Sequence, residues 1–137
     1  MRDTEKLITL TREGKDHRYR LHLMDAFTGA MLLKLILEKA WPLLKDVDPG
    51  DPAALEATLI SALPTLLSAL TEQDTRDLMT RCLNHVDREL PAGWQAVMEG
   101  RNFGCPDLEK DTMTCLLLCG KEILFNLEGF FPERVPD

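Results

Sequence analysis

The sequence has 137 residues, of which 45% are hydrophobic and 28% are charged, a composition that indicates one folded domain and argues against a disordered chain. Its formal net charge of −7 at pH 7 opposes contact with a phosphate backbone, so we do not expect a nucleic-acid-binding protein. The longest apolar run, around residues 26–37, is too short for a membrane span and is interrupted by Lys34, so we expect no membrane segment.

Residues 1–24 predict a β-hairpin. Two stretches alternate at period two, with Ile8 and Leu10 on one face of the first and Tyr19 and Leu21 on one face of the second. Gly14 lies in the connecting loop, where it can adopt the positive φ that short hairpin turns require. Because an isolated hairpin is only marginally stable, we expect its apolar face to pack on helices or its edge to pair with another chain.

The positive charge of the chain is concentrated in this hairpin. Residues 1–24 have a net charge of +2, whereas the remaining residues carry −9. Arg18 and Arg20 lie opposite the apolar face of the second strand. We therefore predict that this basic face binds an acidic surface of another protein.

Residues 25–45 predict a long apolar helix. Asp25 is a suitable N-cap, and eleven of the sixteen residues in AFTGAMLLKLILEKAW are apolar. A surface helix usually has a wider polar face. We therefore predict a central helix, and the alternative is a helix that faces a second subunit.

Residues 53–90 are also predicted to be helical, after a loop rich in proline and aspartate. Leucines recur at spacings of three and four in the first part, and we expect Pro64 to kink or divide the helix there. Thr71 is a suitable N-cap for the second part. The apolar line of that second helix is formed by Leu78, Cys82, Val86 and Leu90.

The C-terminal third is predicted to contain an irregular connection and a last helix. Residues 91–106 have three glycines, two prolines and no helical period, which indicates an irregular connection with a short strand near Trp94. Residues 107–131 predict a helix that ends near Glu128, with Phe130 and Phe131 as a hydrophobic cap beyond it. We predict a single α+β domain, mainly α, in which the N-terminal hairpin packs on a bundle of four to five helices.

No arrangement of residues typical of an enzyme is present in the sequence. The three histidines have no recognisable nucleophile beside them, and the chain lacks a glycine-rich phosphate loop, a G-x-S-x-G motif and a dinucleotide fingerprint. We therefore predict that the protein is not an enzyme and has no cofactor.

The cysteines allow one metal hypothesis. Cys82 and His85, together with Cys115 and Cys119, have spacings that place each pair on one helix face, and such a zinc site would suit a small metal-dependent hydrolase. The cysteines lie on stripes rich in leucine and methionine, where a thiol usually acts as a small hydrophobic group, so we predict no metal site. The N-terminus has no secretory signal, and we expect free buried thiols and a cytoplasmic protein.

The order of the elements and the ending ILFNLEGFF resemble the tail assembly chaperones of long-tailed phages and prophages. Members of that family begin with a short β-hairpin around a Gly-Lys-like turn, which is similar to Gly14 and Lys15 here. Leucine-rich helices follow. The last helix ends in Asn-hydrophobic-x-x-Phe-Phe, which resembles Asn126, Leu127, Phe130 and Phe131 in this chain.

The resemblance implies a non-enzymatic protein of the host cell cytoplasm that binds the tape measure protein during tail morphogenesis, keeps it soluble and helps to recruit tail-tube subunits. The alternative in the same class is another small helical adaptor. Because of the apolar helix, we also expect a homo-oligomer. The residues that we predict to bind partners are Phe130, Phe131, Leu127, Leu124, Arg18 and Arg20. At least one of the two terminal phenylalanines is also expected to pack against the chain's own core.

Overall fold

A computed structural model describes residues 3–39, 42, 45–47 and 51–128. In chain order, these residues form β1 (Glu5–Arg12), β2 (Lys15–His22), α1 (Ala26–Lys39), α2 (Pro52–Ala69), α3 (Glu72–Leu83), β3 (Val86–Leu90), β4 (Gly93–Ala96), β5 (Met98–Glu99), β6 (Asn102–Phe103), a 3₁₀ helix (Pro106–Leu108) and α4 (Thr112–Glu128). The protein is α+β and mainly helical, as predicted.

The N-terminal hairpin is formed as the alternating pattern predicts. Its two-residue turn places Glu13 at φ 53° and Gly14 at φ 77°, and two positive φ angles in succession are typical of the type I′ turn that joins twisted strands. Ile8 lies opposite Tyr19 in the antiparallel register. Tyr19 and Leu21 are buried, so this face of the hairpin packs on the body of the protein.

The hairpin belongs to a four-stranded antiparallel sheet with the order β1-β2-β3-β4. The third strand, residues 86–90, was expected to continue a helix, and that prediction is wrong. α3 ends at Leu83, where the Asn84 side chain donates to the carbonyl of Thr80 over 2.7 Å and to that of Gly100 over 2.9 Å. Val86 then pairs with Leu21 on β2, because the free edge of the hairpin satisfies its backbone groups.

Half of residues 91–106 lie in β-strands, and the predicted irregular connection is wrong for that half. Leu90 and Gly93 are paired across a tight turn, so that β4 follows β3 as a second hairpin. β5 and β6 form a third, very short one. The strand expected near Trp94 is confirmed as β4. Glycine and proline in this segment therefore mark turns between strands and do not indicate irregular chain.

The central helix of the fold is α4. Leu118 has no solvent exposure, and most side chains from residue 118 to residue 127 are buried. The helix contacts α2, α3 and the inner face of β2. Asp111 caps its start, where the Asp111 carboxylate accepts the backbone N–H of Thr114 over 3.2 Å. The hydrophobic core therefore lies between α4 and the inner face of the sheet.

The prediction that α1 is the central helix is wrong. It buries only Gly29, Leu32 and Ile36, and it ends at Lys39. Its apolar side chains surround the whole helix, so one face packs inward while Phe27 on another face is 86% exposed. The predicted N-cap is confirmed, because the Asp25 carboxylate accepts the backbone N–H of Thr28 over 3.1 Å.

Of the two remaining helices, α3 has the predicted capping residue. Thr71 Oγ1 accepts the backbone N–H of Asp74 over 3.0 Å at the start of α3. α2 begins after Asp51 and continues through Pro64 without being divided. In the part of the chain that the structure describes, no helix has the length and hydropathy needed to cross a membrane. Phe130 and Phe131 lie outside the described residues.

Candidate functional site

The arginines predicted to bind an acidic partner are paired within the sheet. Arg18 Nη1 lies 3.0 Å from Glu89 Oε2, and Arg20 Nη2 donates to Asp87 over 2.8 Å. The guanidinium of Arg20 also stacks over Trp94, with Cζ 4.5 Å from the ring centroid. Carboxylates of β3 therefore neutralise positive charge on the outer face of the hairpin.

Asp87 is the centre of this network. Its Oδ2 also lies 2.7 Å from His22 Nε2. Partial burial opposes ionisation of the Asp87 carboxyl, but hydrogen bonds from His22 and Arg20 together outweigh that effect and lower its pKa. The charged pairs on this face favour the folded sheet at neutral pH.

The predicted apolar contact residues lie elsewhere. Leu124 and Leu127 are buried on α4, with 5% and 2% of their surfaces exposed. Leu124 nevertheless borders a groove that is open to solvent. The structure therefore does not bring the leucines and the arginines into one site, because the former lie on α4 and the latter on the outer face of the sheet.

An apolar groove between α2 and α4 was not predicted from the sequence. Its walls consist of aliphatic side chains, and a salt bridge between Glu56 and Lys121 lies at its edge. A Cβ added at Gly120 would meet no atom within 4 Å, so this glycine leaves open space in the groove. We call this feature the α2–α4 groove. Its lining residues are Glu56, Leu59, Ile60, Leu63, Leu66, Leu116, Leu117, Gly120, Lys121, Ile123 and Leu124.

A second apolar surface lies on α1. Phe27 is 86% exposed, while Met31 and Leu37 are 47% and 48% exposed. Their spacing of four and six residues places them on the outward half of the helix. We call these three residues the α1 stripe. Isolated apolar residues at a surface are common, but three on one short helix are typical of a contact surface.

A polar cleft lies where the sheet meets the start of α4. Arg88 is 7% exposed, and its Nη1 donates to Asp107 over 2.7 Å while Nη2 lies 3.0 Å from His17 Nδ1. Nearby, Arg12 Nη2 donates to Asp111 over 3.0 Å. These pairs join the hairpin to the segment that precedes α4, so their role in the described structure is to hold the sheet against that segment.

The four cysteines are buried and free, as expected. Cys115 Sγ donates to the carbonyl of Leu108 over 3.2 Å, and burial raises the pKa of Cys115 to about 11. The pKa of Cys82 is raised by its hydrogen bond with Cys119 and by burial. These thiols therefore resist ionisation. Among the residues that the structure describes, no three His, Cys, Asp or Glu side chains are grouped to hold a metal ion.

A buried polar network on α4 was also missed. Glu122 has no solvent exposure, its Oε2 accepts a hydrogen bond from Asn126 Nδ2, and its Oε1 has no hydrogen-bond partner among the described residues. Asn126 Oδ1 accepts the backbone N–H of Met24 over 3.0 Å. Burial raises the pKa of Glu122 to about 9, so this carboxyl is protonated at neutral pH.

One comparison with known proteins gives a match. A family model described as "Phage tail assembly chaperone protein, TAC" matches residues 15–136. The match includes β2, the four helices and the terminal Phe-Phe pair. No curated protein and no solved structure is significantly similar to the chain.

Proposed function

Because the chain belongs to the phage tail assembly chaperone family, we propose that it binds the tape measure protein and helps to recruit tail-tube subunits while the tail is assembled. The observation that carries this proposal is the match over residues 15–136, which is most of the chain. We further propose that the protein acts in the host cytoplasm and without catalysing a reaction, since a chaperone works by reversible burial of apolar surface.

The α2–α4 groove is the proposed site for the tape measure protein. An amphipathic helix binds such a groove by inserting apolar side chains spaced three and four residues apart. The aliphatic walls suit those side chains, and the open space at Gly120 admits one of them. The salt bridge between Glu56 and Lys121 lies where polar residues at the edge of such a client helix would be.

The predicted partner-binding residues fit this arrangement to different degrees. Leu124 borders the groove and is proposed to contact the client directly. Leu127 is buried, so we propose that it supports Leu124 from within the core. Phe130 and Phe131 follow α4 in the sequence after Gly129, and we propose that they extend the contact beyond it.

The outer face of the sheet is the proposed contact for tail-tube subunits. The Arg18 side chain is 52% exposed despite its salt bridge with Glu89, so it remains accessible to an acidic partner. Arg20 is held by Asp87 and Trp94, and we propose that it positions this surface.

The α1 stripe is the proposed surface for self-association. A second copy would cover Phe27, Met31 and Leu37, which the described part of the chain leaves exposed. Burying three such side chains favours association by several kcal/mol in total, at about 1.5–3 kcal/mol for each one that is fully buried. The homo-oligomer expected from the sequence would then use a surface separate from the groove.

Co-expression tests the proposed function. The tape measure protein encoded in the same gene cluster should remain soluble when it is expressed with this chain and should aggregate without it. The variant Gly120→Leu should abolish this rescue, because the new side chain would fill the groove. Since leucine has a higher helix propensity than glycine, loss of rescue would not result from an unstable helix.

Two controls make the outcome specific. Ser61→Leu adds the same side chain to an exposed position of α2 outside the groove lining and should leave the rescue intact. A pull-down with the tail-tube protein should recover it with the wild-type chain and recover less of it with Arg18→Glu. Rescue by Gly120→Leu at the wild-type level would exclude the groove as the client site, and no rescue by the wild-type chain would contradict the proposed function itself.

A further inference from the structure

The Glu122 carboxyl has an environment that suits only its neutral form. It lies on the central helix with no solvent exposure, and one of its oxygens has no hydrogen-bond partner among the described residues. In the described part of the chain, no cationic side chain forms a salt bridge with it. An ionised carboxylate at this position would lack both water and a counter-ion, which is a costly arrangement in a protein interior.

The groups around the carboxyl come from three elements. Asn126 and Cys119 lie on α4, His22 lies on β2 with its backbone N–H donating to the carbonyl of His85 over 2.9 Å, and Cys82 lies on α3. Cys119 and Cys82 are thiols that carry no positive charge, so neither supplies a counter-ion for a carboxylate. The hydrogen bond from Asn126 and the nearby backbone N–H of His22 only partly offset the effect of burial on the pKa of Glu122.

The network reaches the joint between the sheet and α1. Asn126 donates to Glu122 and also accepts the backbone N–H of Met24 over 3.0 Å. The neighbouring amide of Leu23 donates to the carbonyl of Thr4 over 2.9 Å. The Asn126 side chain of α4 therefore hydrogen-bonds both to the buried carboxyl and to Met24, which lies just before the start of α1.

α1 lies next to this joint and is held by few buried side chains. It buries three residues, whereas α4 buries ten. Local opening usually involves parts of a protein that have few buried contacts. Water that reaches Glu122 would therefore enter at the joint formed by residues 23–25.

We propose that Glu122 and Asn126 form a proton-dependent latch, which holds the start of α1 against α4 while Glu122 is protonated and releases it when Glu122 loses its proton. In the closed state, Asn126 accepts a hydrogen bond from the backbone N–H of Met24, and the neutral carboxyl is shielded from water. In the open state, the joint separates from α4 and water solvates the carboxylate. The latch concerns the conformation of this chain alone and does not depend on any client.

Amide hydrogen exchange of the full chain, measured by NMR between pH 6 and pH 9.5 and corrected for intrinsic exchange, tests the latch. The opening constant at Met24 should exceed that at Leu118 in the core. It should rise about tenfold per pH unit, because one proton is released on opening, and it should level off near the pKa at which the Glu122 carboxyl titrates. The carboxyl carbon of Glu122 can be followed in the same sample.

Two variants complete the experiment. Glu122→Gln should make the opening at Met24 independent of pH, whereas Glu128→Gln, on the same helix but with its side chain 30% exposed, should leave the wild-type rise unchanged. The latch is excluded if the wild-type opening does not change with pH, if Met24 and Leu118 open together, or if Glu122→Gln keeps the rise. Should Glu122→Gln fail to fold, the wild-type titration decides, and a Glu122 carboxyl that titrates below pH 6 would exclude the latch.

Discussion

Arg20 and Asp87 lie directly opposite each other on β2 and β3, and Arg20 Nη2 donates to Asp87 Oδ2 over 2.8 Å. This contact joins the positively charged hairpin to a strand that is 67 positions further along the sequence. Together with the pair formed by Arg18 and Glu89, it means that two arginines of the positively charged hairpin are paired with carboxylates of the neighbouring strand.

Removing the Asp87 carboxylate should destabilise the fold. Asp87→Asn should lower the free energy of unfolding by about 1–3 kcal/mol at pH 7, because Arg20 and His22 lose a charged acceptor in a partly buried site. Since the folded-state pKa of Asp87 is lowered, its contribution is present above its unfolded pKa and is lost as the pH falls through the folded value. Urea denaturation from pH 3 to pH 7 should show the difference from wild type decreasing in acid. Glu89→Gln, which affects a more exposed pair, should cost less than about 1 kcal/mol.

Glu122 should make stability fall as the pH rises. Its folded-state pKa of about 9 lies above the ordinary glutamate value of 4.5, so its favourable contribution is complete below pH 4.5 and is lost progressively towards pH 9. Glu122→Gln should therefore be more stable than wild type at pH 7.5, by an amount on the order of 2–4 kcal/mol. Urea unfolding at several pH values checks this, and parallel pH profiles for the two proteins would contradict it.

Substitution by alanine should change the stability in opposite directions at Gly120, which lies within α4, and at Gly104, which precedes it. Gly120→Ala should stabilise the protein by about 0.5–1 kcal/mol, because the Cβ meets open space and alanine favours a helix. Gly104→Ala should destabilise it by more than about 1 kcal/mol, because its Cβ would collide with the carbonyl oxygen of Ala96. Thermal unfolding of both variants measures the two changes, and an equal effect would contradict the description of the groove.

Because α4 lies in the core, alanine substitution should cost much more stability at the buried Leu118 than at the exposed Met113. Leu118→Ala should lower the free energy of unfolding by about 2–5 kcal/mol, because the side chain has no solvent exposure and would leave a cavity. Met113→Ala, at a side chain that is 55% exposed, should change it by less than about 0.5 kcal/mol. Chemical denaturation of the pair would refute the central role of α4 if both variants lost similar stability.

The α1 stripe should control self-association without affecting the fold. Replacing Phe27 and Met31 by serine should reduce the average mass measured by sedimentation velocity, while the melting temperature stays close to that of a wild-type monomer. The stability should hardly change, because the Phe27 side chain is 86% exposed. The same substitutions should not alter client rescue. A wild-type protein that stays monomeric at high concentration would contradict this use of α1.

Local sequence patterns predicted several elements of the fold well. The glycine turn at Gly14 and the caps at Asp25 and Thr71 depend on interactions within a few residues of the chain, and all are present. Such interactions are encoded locally and need no knowledge of the rest of the structure.

The wrong predictions concern elements whose structure depends on distant partners. Val86 and Leu90 are four residues apart, as in a helix, and the alternation of the buried Val86 and Arg88 side chains is visible only in the folded strand. The free edge of β2 decides between these patterns, and it is far away in the sequence. The turn signal at residues 91–93, directly after the ambiguous segment, was the available sign of a hairpin.

The candidate site was less predictable than the fold. Hydrophobic pattern alone cannot distinguish α4, which is surrounded by other elements, from α1, which carries a similar proportion of apolar residues and lies at the outside. The arginines are visible in the sequence, but their pairing with β3 is not, because the local pattern of residues 86–90 predicts a helix. The groove depends on the distance between two helices, which no local pattern reports.

The position of α4 in the sequence affects how the protein can be synthesised. Tyr19 and Leu21 on β2 pack against this helix, although nearly a hundred residues separate them from it in the sequence. The hairpin therefore leaves the ribosome long before α4 is synthesised. Closing so large a loop is slow compared with forming a hairpin or a helix. Nascent chains therefore expose the apolar face of the β1–β2 hairpin for most of their synthesis. The yield of folded protein should depend on how quickly translation reaches residue 128.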